Sequence, residues 1–107
     1  MGVRHTTAAD DTRVTVEDLE VRFRDAGLEP RTFRNGPGER YDWHEHDTHK
    51  ILFCVDGAIT FHTREEDVLL EAGDRLDIEP GTSHAAHVHG EGVLCIEAHT
   101  TGPDALT

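Results

Sequence analysis

The chain has 107 residues, 36% of them apolar and 6% aromatic, with 22 acidic against 10 basic side chains and a formal charge of −12. That length accommodates one domain and excludes a second of any size. The negative charge repels phosphate backbones and anionic lipid, which argues against nucleic-acid and membrane partners, and no run approaches the roughly 18 consecutive apolar residues of a membrane span.

In chain order, residues 1–12 are polar and non-periodic and are expected to form a disordered arm ahead of a single domain over 13–107. Met1-Gly2-Val3-Arg4-His5 has no apolar signal segment, which points to a soluble, cytoplasmic protein. Thr15 followed by Glu17 and Asp18 matches a helix N-cap with an acidic first turn. Val16, Leu19, Phe23 and Ala26 recur at three- and four-residue steps, and Gly27 supplies the left-handed C′ position, so a helix is predicted over about 16–26. Beyond Pro30 the period becomes two. Glycine or proline punctuation predicts short strands around 31–34, 40–46, 50–55, 58–63, 67–70, 74–79, 83–89 and 93–99. No helical pattern separates these segments, so the fold class is all-β, a sandwich or barrel with one short N-terminal helix. Cys54 and Cys95 lack the spacing of a zinc ribbon or the density of a disulfide scaffold and read as reduced core thiols.

Six of the nine histidines fall in two clusters, His44-Glu45-His46-Asp47-Thr48-His49 and His84-Ala85-Ala86-His87-Val88-His89. On a strand, alternate residues share a face, so His44 and His46 present two imidazoles together and can hold one divalent ion. A third ligand from a distant strand completes a facial set that leaves positions open for water or substrate. By the same parity His87 and His89 oppose His84. They are expected to be exposed strand residues, as are the isolated His5, His62 and His99. Parity also places Arg40 and Asp42 with His44 and His46, and Tyr41, Trp43 and Glu45 on the opposite face.

The glycine–histidine spacing resembles the cupin superfamily. Gly38, His44, His46 and Gly57 follow its first motif (38–57), and Gly73, Pro80, Gly81 and His84 follow its second (73–88), with 58–72 between them. The resemblance implies a jelly-roll β-barrel in which Pro80-Gly81 turns the chain to deliver His84 inward. It implies a divalent transition metal (Zn, Fe, Ni, Cu or Mn) on His44, His46 and His84, a small-molecule ligand or substrate, and a homodimer, for which Tyr41, Trp43, Ile51 and Phe53 are candidate surface where they do not pack under the chain's own helix.

The chain departs from the family where a glutamate commonly supplies a fourth ligand, because Lys50 stands there. Three arrangements accommodate an ammonium beside a cation. The three histidines hold the metal alone, with Lys50 swung aside or deprotonated; His49 reaches inward across a bulge; or the site lacks metal and Lys50 binds a carboxylate such as Glu97 or an anionic ligand. The first is expected, because three imidazoles converging without an ion would leave buried nitrogens unsatisfied. It gives a metal-binding barrel that binds or acts on a small organic molecule, as a dioxygenase or Lewis-acid enzyme with Lys50 as catalytic group. The alternative is a metal-free binding module with Lys50 as anion contact.

Overall fold

A computed structural model of the chain describes residues 2–8 and 14–106. The strands are β1 (Val3–Thr6), β2 (Arg31–Asn35), β3 (Arg40–His44), β4 (His49–Thr63), β5 (Asp67–Glu71), β6 (Arg75–Ile78) and β7 (His84–Thr100), with one α-helix, α1 (Val16–Asp25), and a 3-10 turn at Pro103–Ala105. All pairings are antiparallel, in the order β1-β6-β4-β7-β2, with β3 on β7 and β5 on β4. The long strands β4 and β7 pair along most of their length and curl the sheet into a barrel. No described helix is long and apolar enough to cross a membrane.

The alternation of the strands yields two apolar layers. Inside the barrel Leu52, Cys54, Ile59, Phe61, Leu76 and Cys95 pack together. Outside, Ile51, Phe53, Ile96 and Ala98 are covered by Leu19 and Phe23 of α1. Helix α1 is locally specified as predicted. Thr15 Oγ1 accepts the Asp18 N–H, and the Gly27 and Leu28 N–H groups donate to Arg24 and Phe23 carbonyls with Gly27 at φ 80°, a Schellman ending. Of the two covers open to Ile51 and Phe53, a second subunit or the chain's own helix, the helix is the one present.

Two expectations are corrected. Val3–Thr6, assigned to a disordered arm, is a strand paired with β6 in the register Val3↔Ile78 to Thr6↔Arg75. Its stability comes from the otherwise open edge of β6 and from Asp74, which accepts the Ala8 N–H and bonds His5, so no local apolar period announces it. Met1 and residues 9–12 of that arm lie outside the described residues.

The segments 50–55 and 58–63 are one strand, and so are 83–89 and 93–99. Gly57 and Gly92, taken as turn punctuation, sit at φ 79° and 80° within bulges where the pairing shifts register twice. A Cβ on Gly57 would lie 2.0 Å from the Gly92 carbonyl oxygen, so close backbone approach requires glycine there.

Candidate metal centre

His84 opens β7 directly after the Pro80-Gly81 turn and pairs in register with His44 at the end of β3. Their ring centroids are 4.3 Å apart, and His46, just past β3, lies 4.9 Å and 5.3 Å from His44 and His84. One ligand atom from each of the three falls within 4.8 Å of the others.

Backbone carbonyls fix two of the rings. His44 Nδ1–H donates to Asp42 O at 2.7 Å and His84 Nδ1–H to Thr82 O at 2.8 Å, which leaves Nε2 of each as a lone-pair donor. His46 Nε2 and His84 Nε2 are buried without a hydrogen-bond partner. Burial lowers the His84 pKa to about 4; its Thr82 bond opposes the shift, and His44, Lys50 and His46 add to it. Burial, then Lys50, His44 and His99, likewise holds His46 below the ordinary histidine value. Neutral imidazoles with unsatisfied buried nitrogens are the donor set a divalent transition ion satisfies. By this test the residues fit a metal.

The three rings face a cavity of about 180 Å³ whose wall includes Tyr41, Lys50, Glu97 and His99 over a floor of Leu52 and Phe61. Lys50 Nζ forms an ion pair with Glu97 Oε1 at 3.0 Å, and both side chains are nearly buried.

The structure therefore brings His44, His46 and His84 together and places Lys50 in the adjoining wall. It does not bring His49 inward: His49 faces the outer layer, buried against Asp77 at 2.8 Å. The parity expected of β3 is also reversed at its start. A register shift between Tyr41 and His44 inserts a residue, so Tyr41 shares the cavity with His44 while Arg40 pairs outward with His87. The Tyr41 hydroxyl donates to Asn35, and burial raises its pKa, with the Asn35 bond opposing; the residue stays partly exposed. Trp43 remains exposed under the Arg64 guanidinium, 3.8 Å from the ring centroid.

His99, read as isolated, is a cavity residue 5.3 Å from the His46 ring and hydrogen-bonded to Thr48. Its alternation with Glu97 and Cys95 was the available signal. His5 is bonded to Asp74. His62, His87 and His89 are half-buried and mutually engaged rather than free on the surface.

Residues 31–97 match the family described as cupin domain. No curated protein matches the chain. Among solved structures, a chain from the crystal structures of DMSP lyases RdDddP and RnDddQII is 28% identical with a TM-score of 0.64, over 71% of this chain and 39% of that one. KdgF from Halomonas sp. is 20% identical with a TM-score of 0.62, over 96% and 83% of the two chains. A cupin-2 domain containing protein from Shewanella frigidimarina is 21% identical with a TM-score of 0.59, over 66% and 68%. This chain thus spans well under half the length of the lyase chain it matches.

Proposed function

Because the chain belongs to the cupin family, we propose that it holds one divalent transition metal on His44, His46 and His84 and acts on a small organic molecule bound in the adjoining cavity. The observation that carries this reading is the pair of buried, unpartnered nitrogens, His46 Nε2 and His84 Nε2, in a cluster whose third member is oriented by a backbone carbonyl. When bound, the ion supplies Lewis acidity or, if redox-active, a site for dioxygen activation. The adjoining cavity, about 180 Å³, suits a small organic molecule.

Lys50 is the proposed catalytic group. Its ion pair with Glu97 presents a cation in the cavity wall, suited to stabilising negative charge that develops on the substrate. The Lys50–Glu97 contact is also the one expected of the metal-free alternative, so it is the unpartnered imidazole nitrogens, not this pair, that favour the metal. Likeness to a chain from the DMSP lyase structures supports an enzyme over a storage protein. A homodimer would have to use surface other than Ile51 and Phe53, which α1 covers.

Metal analysis of tag-free protein prepared without chelators tests the reading. An equivalent of metal that His84→Ala removes is expected. Less than about one-tenth of an equivalent, or metal that His84→Ala leaves in place, would overturn it.

A further inference from the structure

The bulges at Gly57 and Gly92 divide the outer face of the sheet. One half lies beneath α1, and the other carries a row of histidines on β4 and β7. His62 is the register partner of Asp67 across the β4–β5 hairpin, and its Nδ1 is 2.7 Å from Asp67 Oδ1. A carboxylate oxygen accepts, so His62 Nδ1 carries the proton and Nε2 presents a lone pair. That Nε2 lies 2.8 Å from His87 Nδ1. His89, two residues further along β7 and on the same face, has its ring 4.7 Å from His87 and its Nε2 2.6 Å from Thr60 Oγ1; with Nε2 donating to that oxygen, Nδ1 keeps its lone pair.

We propose that His62, His87 and His89 form a second, external site for a divalent transition-metal ion, separate from the barrel centre. His87 Nδ1 carries the proton that faces the His62 Nε2 lone pair, and the ion takes that place when the His87 proton moves to Nε2. Two imidazole nitrogens on a tetrahedral ion with bonds of about 2.0–2.1 Å stand ~3.3 Å apart, so a widening of about half an ångström admits the ion in place of that proton. Asp67 behind His62 is the carboxylate–histidine arrangement that orients a ligating ring and raises its basicity. As the rings stand the three do not offer nitrogens all within 4.8 Å of one another, and His89 Nδ1 joins as third donor only once its ring turns. Water fills the remaining position, because His62 and the row beside it open to solvent.

Burial, followed by His89, His62 and the facing Arg40, disfavours a proton on His87, which agrees with a neutral ligand. Arg40 is the opposing feature. It pairs with His87 from β3, but its side chain is exposed and free to turn toward water, and the chain as a whole carries a charge of −12. An all-imidazole set selects Zn²⁺, Ni²⁺ or Cu²⁺ over Mg²⁺ or Ca²⁺.

The test uses the tag-free chain carrying His84→Ala, which silences the barrel, titrated with Zn²⁺ by calorimetry. One equivalent is expected to bind, with affinity falling at least tenfold on adding His87→Ala and by about tenfold on adding Asp67→Asn. Binding unaffected by His87→Ala and by His62→Ala overturns the site. Should these variants fail to fold, Cu²⁺ raised past one equivalent on the unaltered chain, so that the barrel is already filled if it binds metal, is read by NMR. Broadening of the His62, His87 and His89 ring signals supports the site, and sharp signals there overturn it. Neither arm depends on the barrel holding metal.

Discussion

Lys50 Nζ lies 3.0 Å from Glu97 Oε1, so the carboxylate absent from the usual motif position enters the cavity wall from the neighbouring strand. The register opposes Glu97 to Leu52 and Lys50 to His99, which makes the pair a diagonal contact between β4 and β7. An isolated ammonium a few ångströms from a divalent ion is repulsive by several kcal/mol in a partly dry cavity. Glu97 would offset that repulsion at the proposed three-histidine centre.

Breaking the pair from either side has opposite consequences. Glu97→Gln leaves a nearly buried cation uncompensated; we expect a stability loss of about 3 kcal/mol in urea denaturation and at least a tenfold weaker Zn²⁺ affinity. Lys50→Glu removes the cation and adds a carboxylate near the ion, so affinity should rise. Unchanged affinity in both variants would place the pair outside the field of the ion.

Acid should weaken the metal-free fold through His84. The unfolded chain takes up a proton near pH 6.5, whereas the folded one resists until about pH 4 because the ring is buried. The unfolded state therefore binds more protons between those values, and stability falls as the pH is lowered across that window, by up to about 3 kcal/mol. Thermal melts of chelator-treated protein against His84→Leu check this: the difference in slope should vanish above pH 7.

Asp74 ties the N-terminal strand to the barrel. Its pKa is held below the ordinary value, since the Ala8 and Glu71 N–H bonds and His5 together outweigh the upward effect of burial. A depressed carboxylate contributes stability above its unfolded value and loses it as the pH falls through the folded one. Asp74→Ala should cost about 2–4 kcal/mol by leaving those donors unmet. Amide exchange of Val3–Thr6 should speed up more than that of β4, and equal acceleration would contradict the tie.

Gly57 should be intolerant of any side chain. Its positive φ and the Gly92 oxygen 2.0 Å from a built Cβ leave no room, so Gly57→Ala is expected to lower stability by more than about 3 kcal/mol or prevent folding. Gly27 has the same sign of φ but open space, and Gly27→Ala should cost only about 1 kcal/mol. Denaturant midpoints for the two variants provide the comparison.

Phe23 joins helix to sheet. It is fully buried, edge-on to Phe53 with centroids 5.9 Å apart. Phe23→Ala should destabilise by about 3–5 kcal/mol while leaving the barrel's metal affinity within twofold when measured below the melting range.

Local chemistry was sufficient for much of this molecule. Thr15, the apolar spacing of Leu19 and Phe23, and Gly27 specify α1 because capping and helical period act over a few residues. The glycine–histidine spacing, with Pro80-Gly81 ahead of His84, was enough to anticipate a barrel converging on His44, His46 and His84. Other relationships arise only when the sheet closes. One inserted residue in β3 turns Tyr41 inward and Arg40 outward, and alternation cannot register such a bulge. The edge of β6 recruits a strand with no apolar period of its own. Glu97 meets Lys50, and His62 meets His87, because antiparallel register brings together residues distant in sequence. Periodicity determines which side a side chain faces along an unbroken strand; cross-strand contact and bulges determine what it finds there.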